Sequence, residues 1–150
     1  MNRDSIWGLV LSATRARILR GLLQEKLPRD SELVIRAQNL GLRELMREMP
    51  GPLDALAKAE GASQMRRRRD VLREDATTFV RNVVTLLDAH RRAGDFDHLV
   101  IFSSPEMLEI LRAELPMALK HKVAAEVARN LMHEPEARLI KIVTDTVFGP

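Results

Sequence analysis

Four consecutive arginines, Arg66-Arg67-Arg68-Arg69, are the densest concentration of one chemistry in the chain. A guanidinium is permanently charged and presents a planar fork of donors that fits phosphate oxygens, so such a run points to a nucleic-acid backbone. Arg73, Arg15 and Arg17 could extend that surface. The competing reading is a solvated loop or helix edge, where charge runs commonly lie. Aromatic residues are scarce, with one Trp, four Phe and no Tyr, which disfavours base stacking and favours phosphate or shape recognition of structured RNA. The other reactive side chains are scattered. His90, His98, His121 and His133 contain no pair at the i, i+4 spacing of a helical metal site, and no cysteine completes one, so no metal and no cofactor is expected. His90 reads as a helix-end residue at the core margin and His98 as the cap of a buried strand. A two-metal nuclease needs carboxylates converging from the strands, and only Glu32 and Glu126 are candidates. Ser103 and Ser104 follow a strand at the end where open α/β sheets bind ligands, although Ser104 is also placed to cap a helix. With no G-x-S-x-G, P-loop or G-x-G-x-x-G pattern, hydrolase and nucleotide-binding readings lack their geometry.

The elements that must carry these residues are organised around Asp75 to Pro116. Phe79, Val83, Leu86, Leu87 and His90 recur every three or four residues, with Val80 and Val84 widening the stripe, and predict an amphipathic helix over Ala76 to Arg92 that Gly94 closes. Leu99-Val100-Ile101-Phe102 is an unbroken apolar run, as in a central strand covered on both faces. Ser104-Pro105-Glu106 restarts a helix. Upstream, Ile6 to Leu11 and Arg15 to Leu19 read as antiparallel strands joined through Ser12-Ala13-Thr14, with Trp7 in the core and Glu32 to Arg36 as a third strand. Leu42, Leu45, Met46 and Met49 share a helical face that Pro50-Gly51-Pro52 ends. Leu53 to Glu60 has the composition for two further turns, and Gly61-Ala62-Ser63-Gln64 reads as a mobile link, giving a flexible basic loop over residues 53–69. Lys122 to Leu131 is a helix by alanine propensity and a strand by the alternation of Val123, Ala125 and Val127. Glu134-Pro135 opens a last helix with Leu139, Ile140, Val143 and Val147 on one face.

Alternating strands and helices predict one α/β layered domain across all 150 residues. No apolar run approaches the roughly 20 residues of a membrane span, so no membrane insertion is expected. The short apolar patch before Arg15 lacks the length of a secretory signal, which makes a cytoplasmic location the expectation. Net charge is +3, and the excess sits early: residues 1–75 carry 15 basic and 11 acidic side chains, residues 76–150 carry 9 and 10.

The opening Trp7-Gly8-Leu9-Val10-Leu11-Ser12-Ala13-Thr14-Arg15-Ala16-Arg17-Ile18-Leu19, the Pro50-Gly51 pair and the block Ala93-Gly94-Asp95-Phe96-Asp97-His98-Leu99-Val100-Ile101 resemble the bacterial host attachment protein family. Ser104 to Leu108, Leu111-Arg112-Ala113 and Val123 to Leu131 continue the likeness in the family's order. Where the family usually has Asp-Gly and Asp-Leu-Thr, this chain has Ser12-Ala13 and Asn130-Leu131-Met132. The family is in turn similar to the middle domain of archaeal and eukaryotic peptide release factors. That resemblance implies a ribonuclease-H-like mixed sheet of about five strands flanked by helices, with Lys122 to Leu131 a strand beside Leu99 to Phe102, and the strand is adopted. It also sets Gly61-Ala62-Ser63-Gln64, ahead of Thr78-Phe79-Val80-Arg81-Asn82, where those factors carry Gly-Gly-Gln. With Ala62 and Ser63 in place of glycine, Gln64 is a remote catalytic candidate for peptidyl-tRNA hydrolysis. The expectation is therefore a non-catalytic module that acts indirectly in attachment and contacts structured RNA or the ribosome through its arginines. A protein-interaction module without nucleic acid is the alternative, and the oligomeric state is open.

Overall fold

A computed structural model of the chain describes residues 5–22, 32–48 and 53–150, with the backbone alone over 53–61. Five strands form one sheet: β1 (Ile6–Leu11), β2 (Arg15–Arg20), β3 (Glu32–Arg36), β4 (His98–Ser103) and β5 (Val123–Val127). Their order is β3-β2-β1-β4-β5. β2 is antiparallel to both neighbours, whereas β4 runs parallel to β1 and to β5. The helices are α1 (Leu40–Glu48), α2 (Leu53–Arg92), α3 (Pro105–Glu114), α4 (Met117–Lys120) and α5 (Glu136–Phe148). The protein is a single α/β domain with a five-stranded mixed sheet flanked by helices, an order compatible with the ribonuclease-H-like arrangement.

Strand alternation divides the core into two layers. Trp7, Leu9, Leu11, Ala16, Ile18, Leu99 and Ile101 turn toward α2 and α3, where they meet Phe79, Val83, Leu87, Leu108 and Leu111. Ile6, Val10, Leu19, Val100 and Phe102 turn the other way and are covered by Leu139 and Val143 of α5 with Leu131 and Met132 before it. β4 thus packs on both faces, as its unbroken apolar run requires. β5 carries an irregularity: Leu99 pairs with Val123 but Val100 with Ala125. That extra residue turns the strand over, so Val123 packs in the α2 layer while Ala125 and Val127 join the α5 layer.

Two boundaries differ from the sequence reading. The strand expected over Lys122 to Leu131 covers only Val123–Val127. The loop expected over residues 53–69, with its link at Gly61 to Gln64, is the first part of α2, a helix of 40 residues and about 60 Å. The segment is dense in Ala, Leu, Lys, Glu, Gln, Met and Arg, the strongest helix formers, and a single interior glycine costs only about 1 kcal/mol against them. The turn expected at Pro50-Gly51-Pro52 and the packing of Met49 lie outside the described residues. Gly94 follows α2 with φ of 76°, and Ser104 caps α3 through its hydroxyl, 3.3 Å from the Met107 N–H, as expected.

Candidate nucleic-acid interface

α2 has two halves of different character. From Ala76 onward, Phe79, Val80, Val83 and Leu87 are buried against the sheet. Between residues 62 and 75 only Gln64, Val71 and Asp75 are half-buried, and every other side chain is exposed. At about 100° per residue those three share one stripe, which is the face that meets α1. The two helices run antiparallel. Gly41 at the start of α1 lies against Val71 and Asp75, and Glu48 at its end pairs with Arg67 at 2.5 Å.

Asp75 holds this pair of helices together. Its Oδ1 accepts the Gly41 N–H and its Oδ2 the Leu42 N–H, both at 2.9 Å. The first N–H groups of a helix have no intrahelical partner, and the N-cap residue usually supplies one. Asn39, just before α1, has φ of 53° and lies outside the extended region that a capping residue adopts. The carboxylate 34 residues away replaces it. Gly41 makes this possible, since a Cβ there would lie 2.7 Å from Asp75 Oδ1. The sequence gives no sign of this cap.

The arginine run is thereby distributed around a helix. Arg66, Arg69 and Arg73 occupy a sector of about 60–80° on the side of α2 away from α1, with Arg66 and Arg73 about 10 Å apart along the axis. Arg67 and Arg68 flank the α1 seam, and Arg67 is the one engaged by Glu48. Arg66, Arg68, Arg69 and Arg73 are exposed and make no ion pair among the described residues. Over residues 40–48 and 62–74, seven arginines face four carboxylates. Toward the sheet the same helix borders a groove of about 960 Å³ between α2 and residues 35–41, where Asp70 and Glu74 interrupt the positive surface. Arg81 in that groove is bound to Glu114 of α3 at 3.0 Å, which raises its pKa further and ties the two helices.

Arg15 and Arg17 do not extend this surface. β2 directs both side chains to the α5 side of the sheet. Arg17 is 9% exposed; its Nε pairs with Glu32, and its Nη1 donates to the backbone carbonyls of Met132 at 3.0 Å and Glu134 at 2.5 Å. It fastens the approach to α5 onto β2 and β3.

The remaining candidates have structural partners. Glu32 and Glu126 sit on opposite edges and opposite faces of the sheet, the latter bound to Arg112 at 2.7 Å, and cannot converge on one metal pair. Among the described residues no group of three His, Asp or Glu side chains is placed to hold a metal ion. Ser103 is buried and its hydroxyl donates to the Leu11 carbonyl at 2.7 Å, closing the end of the parallel β1–β4 pair. Trp7 is core, its ring tilted against those of His90 and Phe96 with centroids 5.0 Å from each. His90 also meets Asp95 at 2.7 Å, at the core margin where it was expected. Gln64, Ala62 and Ser63 stand within α2.

Residues 7–143 match the family model described as protein required for attachment to host cells. The chain belongs to the host attachment family. The matched span starts in β1 and ends within α5, so it takes in both core layers, the α1–α2 pair and the arginines. A comparison with curated proteins gave no match. Among the described residues of this host attachment protein, no helix is long and apolar enough to cross a membrane.

Proposed function

We propose that this host attachment family protein serves attachment indirectly, as a non-catalytic cytoplasmic module that binds structured RNA, free or in the ribosome, through the outer face of α2. The observation that carries the reading is the set of four exposed guanidinia, Arg66, Arg68, Arg69 and Arg73, that make no ion pair among the described residues, on the half of a long helix that leaves the sheet. Phe79, Phe96, Phe102 and Trp7 are all buried, and Phe148 at the far end of α5 is the exposed aromatic. The arginine face therefore has no stacking platform beside it, and phosphate contact is what it can offer. The family role accounts for attachment, and RNA contact supplies a route to it through expression of other components. The reading stops short of peptidyl-tRNA hydrolysis. Gln64 lies in a helix whose backbone N–H groups are already bonded, rather than on a glycine-rich loop free to hold a water.

The test is filter binding and co-sedimentation with ribosomes across a salt series, beside a variant with Arg66, Arg68, Arg69 and Arg73 changed to Gln. Four phosphate contacts give a slope of log affinity on log salt of about −3, and the variant should flatten it toward zero. Equal affinity and slope for both proteins would overturn the proposal.

A further inference from the structure

β3 is an edge strand, and the groups it turns outward can be assigned. The Ala37 N–H donates to the Thr14 carbonyl at 2.8 Å, continuing the β2–β3 register in which Arg36 faces Arg15 and Val34 faces Arg17. In an antiparallel ladder, bonded and non-bonded pairs alternate. Residues 33, 35 and 37 therefore spend their ladder groups on β2, while Glu32, Val34 and Arg36 direct both N–H and C=O to the outer edge, which no strand among the described residues pairs. Natural edges are usually blunted, yet here Val34 stands at the centre of the free row with 47% of its surface exposed.

The five residues Glu32-Leu33-Val34-Ile35-Arg36 are complementary to themselves when reversed. We infer that β3 is a self-association edge, joining a second copy of this chain antiparallel about a two-fold axis at Val34. That register sets Val34 against Val34 of the other copy, Leu33 against Ile35, and Glu32 against Arg36 twice. It also places outward ladder groups opposite outward ladder groups, forming six main-chain hydrogen bonds. A slip of one residue would oppose inward to outward groups and lose them. The charges support the same pairing. Arg36 directly faces Arg15 across β2–β3 and makes no ion pair among the described residues, a like-charge arrangement that costs stability in a sheet. Glu32 binds Arg17 through Oε1, leaving its second oxygen for the arginine arriving from the other copy. Because the two-fold keeps faces matched, all four charged side chains stay on the α5 side, and Leu33 and Ile35 meet on the α2 side. The inference is independent of RNA binding.

The chain has no cysteine, so Val34→Cys introduces a single thiol at the proposed axis. Bonded antiparallel partners lie about 5.5 Å apart at Cα, within disulfide range. Ala124→Cys, exposed on the opposite edge strand β5, is the control. Under mild oxidation Val34→Cys should form a covalent dimer at least about tenfold faster than Ala124→Cys, and adding Arg36→Glu, which sets like charges together twice, should slow it about tenfold. Circular dichroism verifies that each variant is folded. Sedimentation of the unmodified protein should show a concentration-dependent dimer that Arg36→Glu shifts to monomer. Cross-linking no faster than the β5 control, or a monomer at every concentration, would overturn the inference.

Discussion

The carboxylate of Asp75 and the missing side chain of Gly41 form a pair whose coupling can be measured. Asp75→Ala removes two charge-assisted hydrogen bonds from the first turn of α1. Loss of an N-cap costs about 1 kcal/mol and a hydrogen bond to a charged group about 1.5–3. Both bonds are partly exposed, so about 2 kcal/mol is expected, or a melting temperature lower by about 4–8 °C for a chain of this size. α1 has nine residues, too few to persist as an isolated helix, so the loss should release it from α2. Gly41→Ala alone forces a Cβ to within 2.7 Å of Asp75 Oδ1 and should destabilise by about 1–3 kcal/mol through displacement of the carboxylate. In the Asp75→Ala background that oxygen is gone, and the nearest remaining atom is Val71 Cγ1 at 3.3 Å. The second substitution should then be close to neutral, because alanine is also the better helix former by about 1 kcal/mol. Urea unfolding of the two single variants and the double variant gives the coupling directly, and it should exceed about 1 kcal/mol. Additive effects would refute this account of the cap.

Arg17→Ala leaves Glu32 nearly buried without its partner and strips the Met132 and Glu134 carbonyls of their donor. Denaturant unfolding should show a loss of about 3–5 kcal/mol, while salt-dependent RNA affinity of the folded variant stays unchanged. Asp88 accepts from Arg91 at 2.7 Å with Arg92 nearby, which holds its carboxyl below the usual Asp value. A lowered folded pKa means a contribution present at neutral pH and lost as pH falls through that value. NMR titration should find Asp88 ionising below the usual Asp value, and Arg91→Ala should return it toward that value.

The parts of this molecule that the sequence made legible are those whose signals are local. The 3.6-residue stripe of Phe79, Val83 and Leu87, the apolar run of β4 and the serine cap of α3 each lie within one element. β5 was harder because alanine favours helix and so competes with the strand signal in the alternation of Val123, Ala125 and Val127. The loop expected over 53–69 came from weighting Gly61 and Ser63 above the helix formers around them. Arg17 looked like a surface residue because a hairpin arginine normally is one. Its burial depends on carbonyls more than a hundred positions away, and the Asp75 cap likewise spans 34 residues. Pairings of that kind carry no periodicity.

The distribution of satisfied and unsatisfied groups also says where this fold can act. In open α/β sheets ligands gather beyond the carboxyl ends of parallel strands at the point where chain direction diverges. Here that point lies between β1 and β4, and Ser103 closes it by bonding to Leu11 while Ser104 is spent on α3. Those two hydroxyls are therefore committed to structure. Among the described residues, guanidinia without an ion pair are found instead on the half of α2 that leaves the sheet, and ladder groups without a partner strand on the β3 edge. The two contacts proposed above would be made through these features. The arginines stand on α2 beside the α1 seam that the Asp75 cap joins, and a helical segment presents them at fixed spacings. A partner that matches them pays little ordering entropy in the protein.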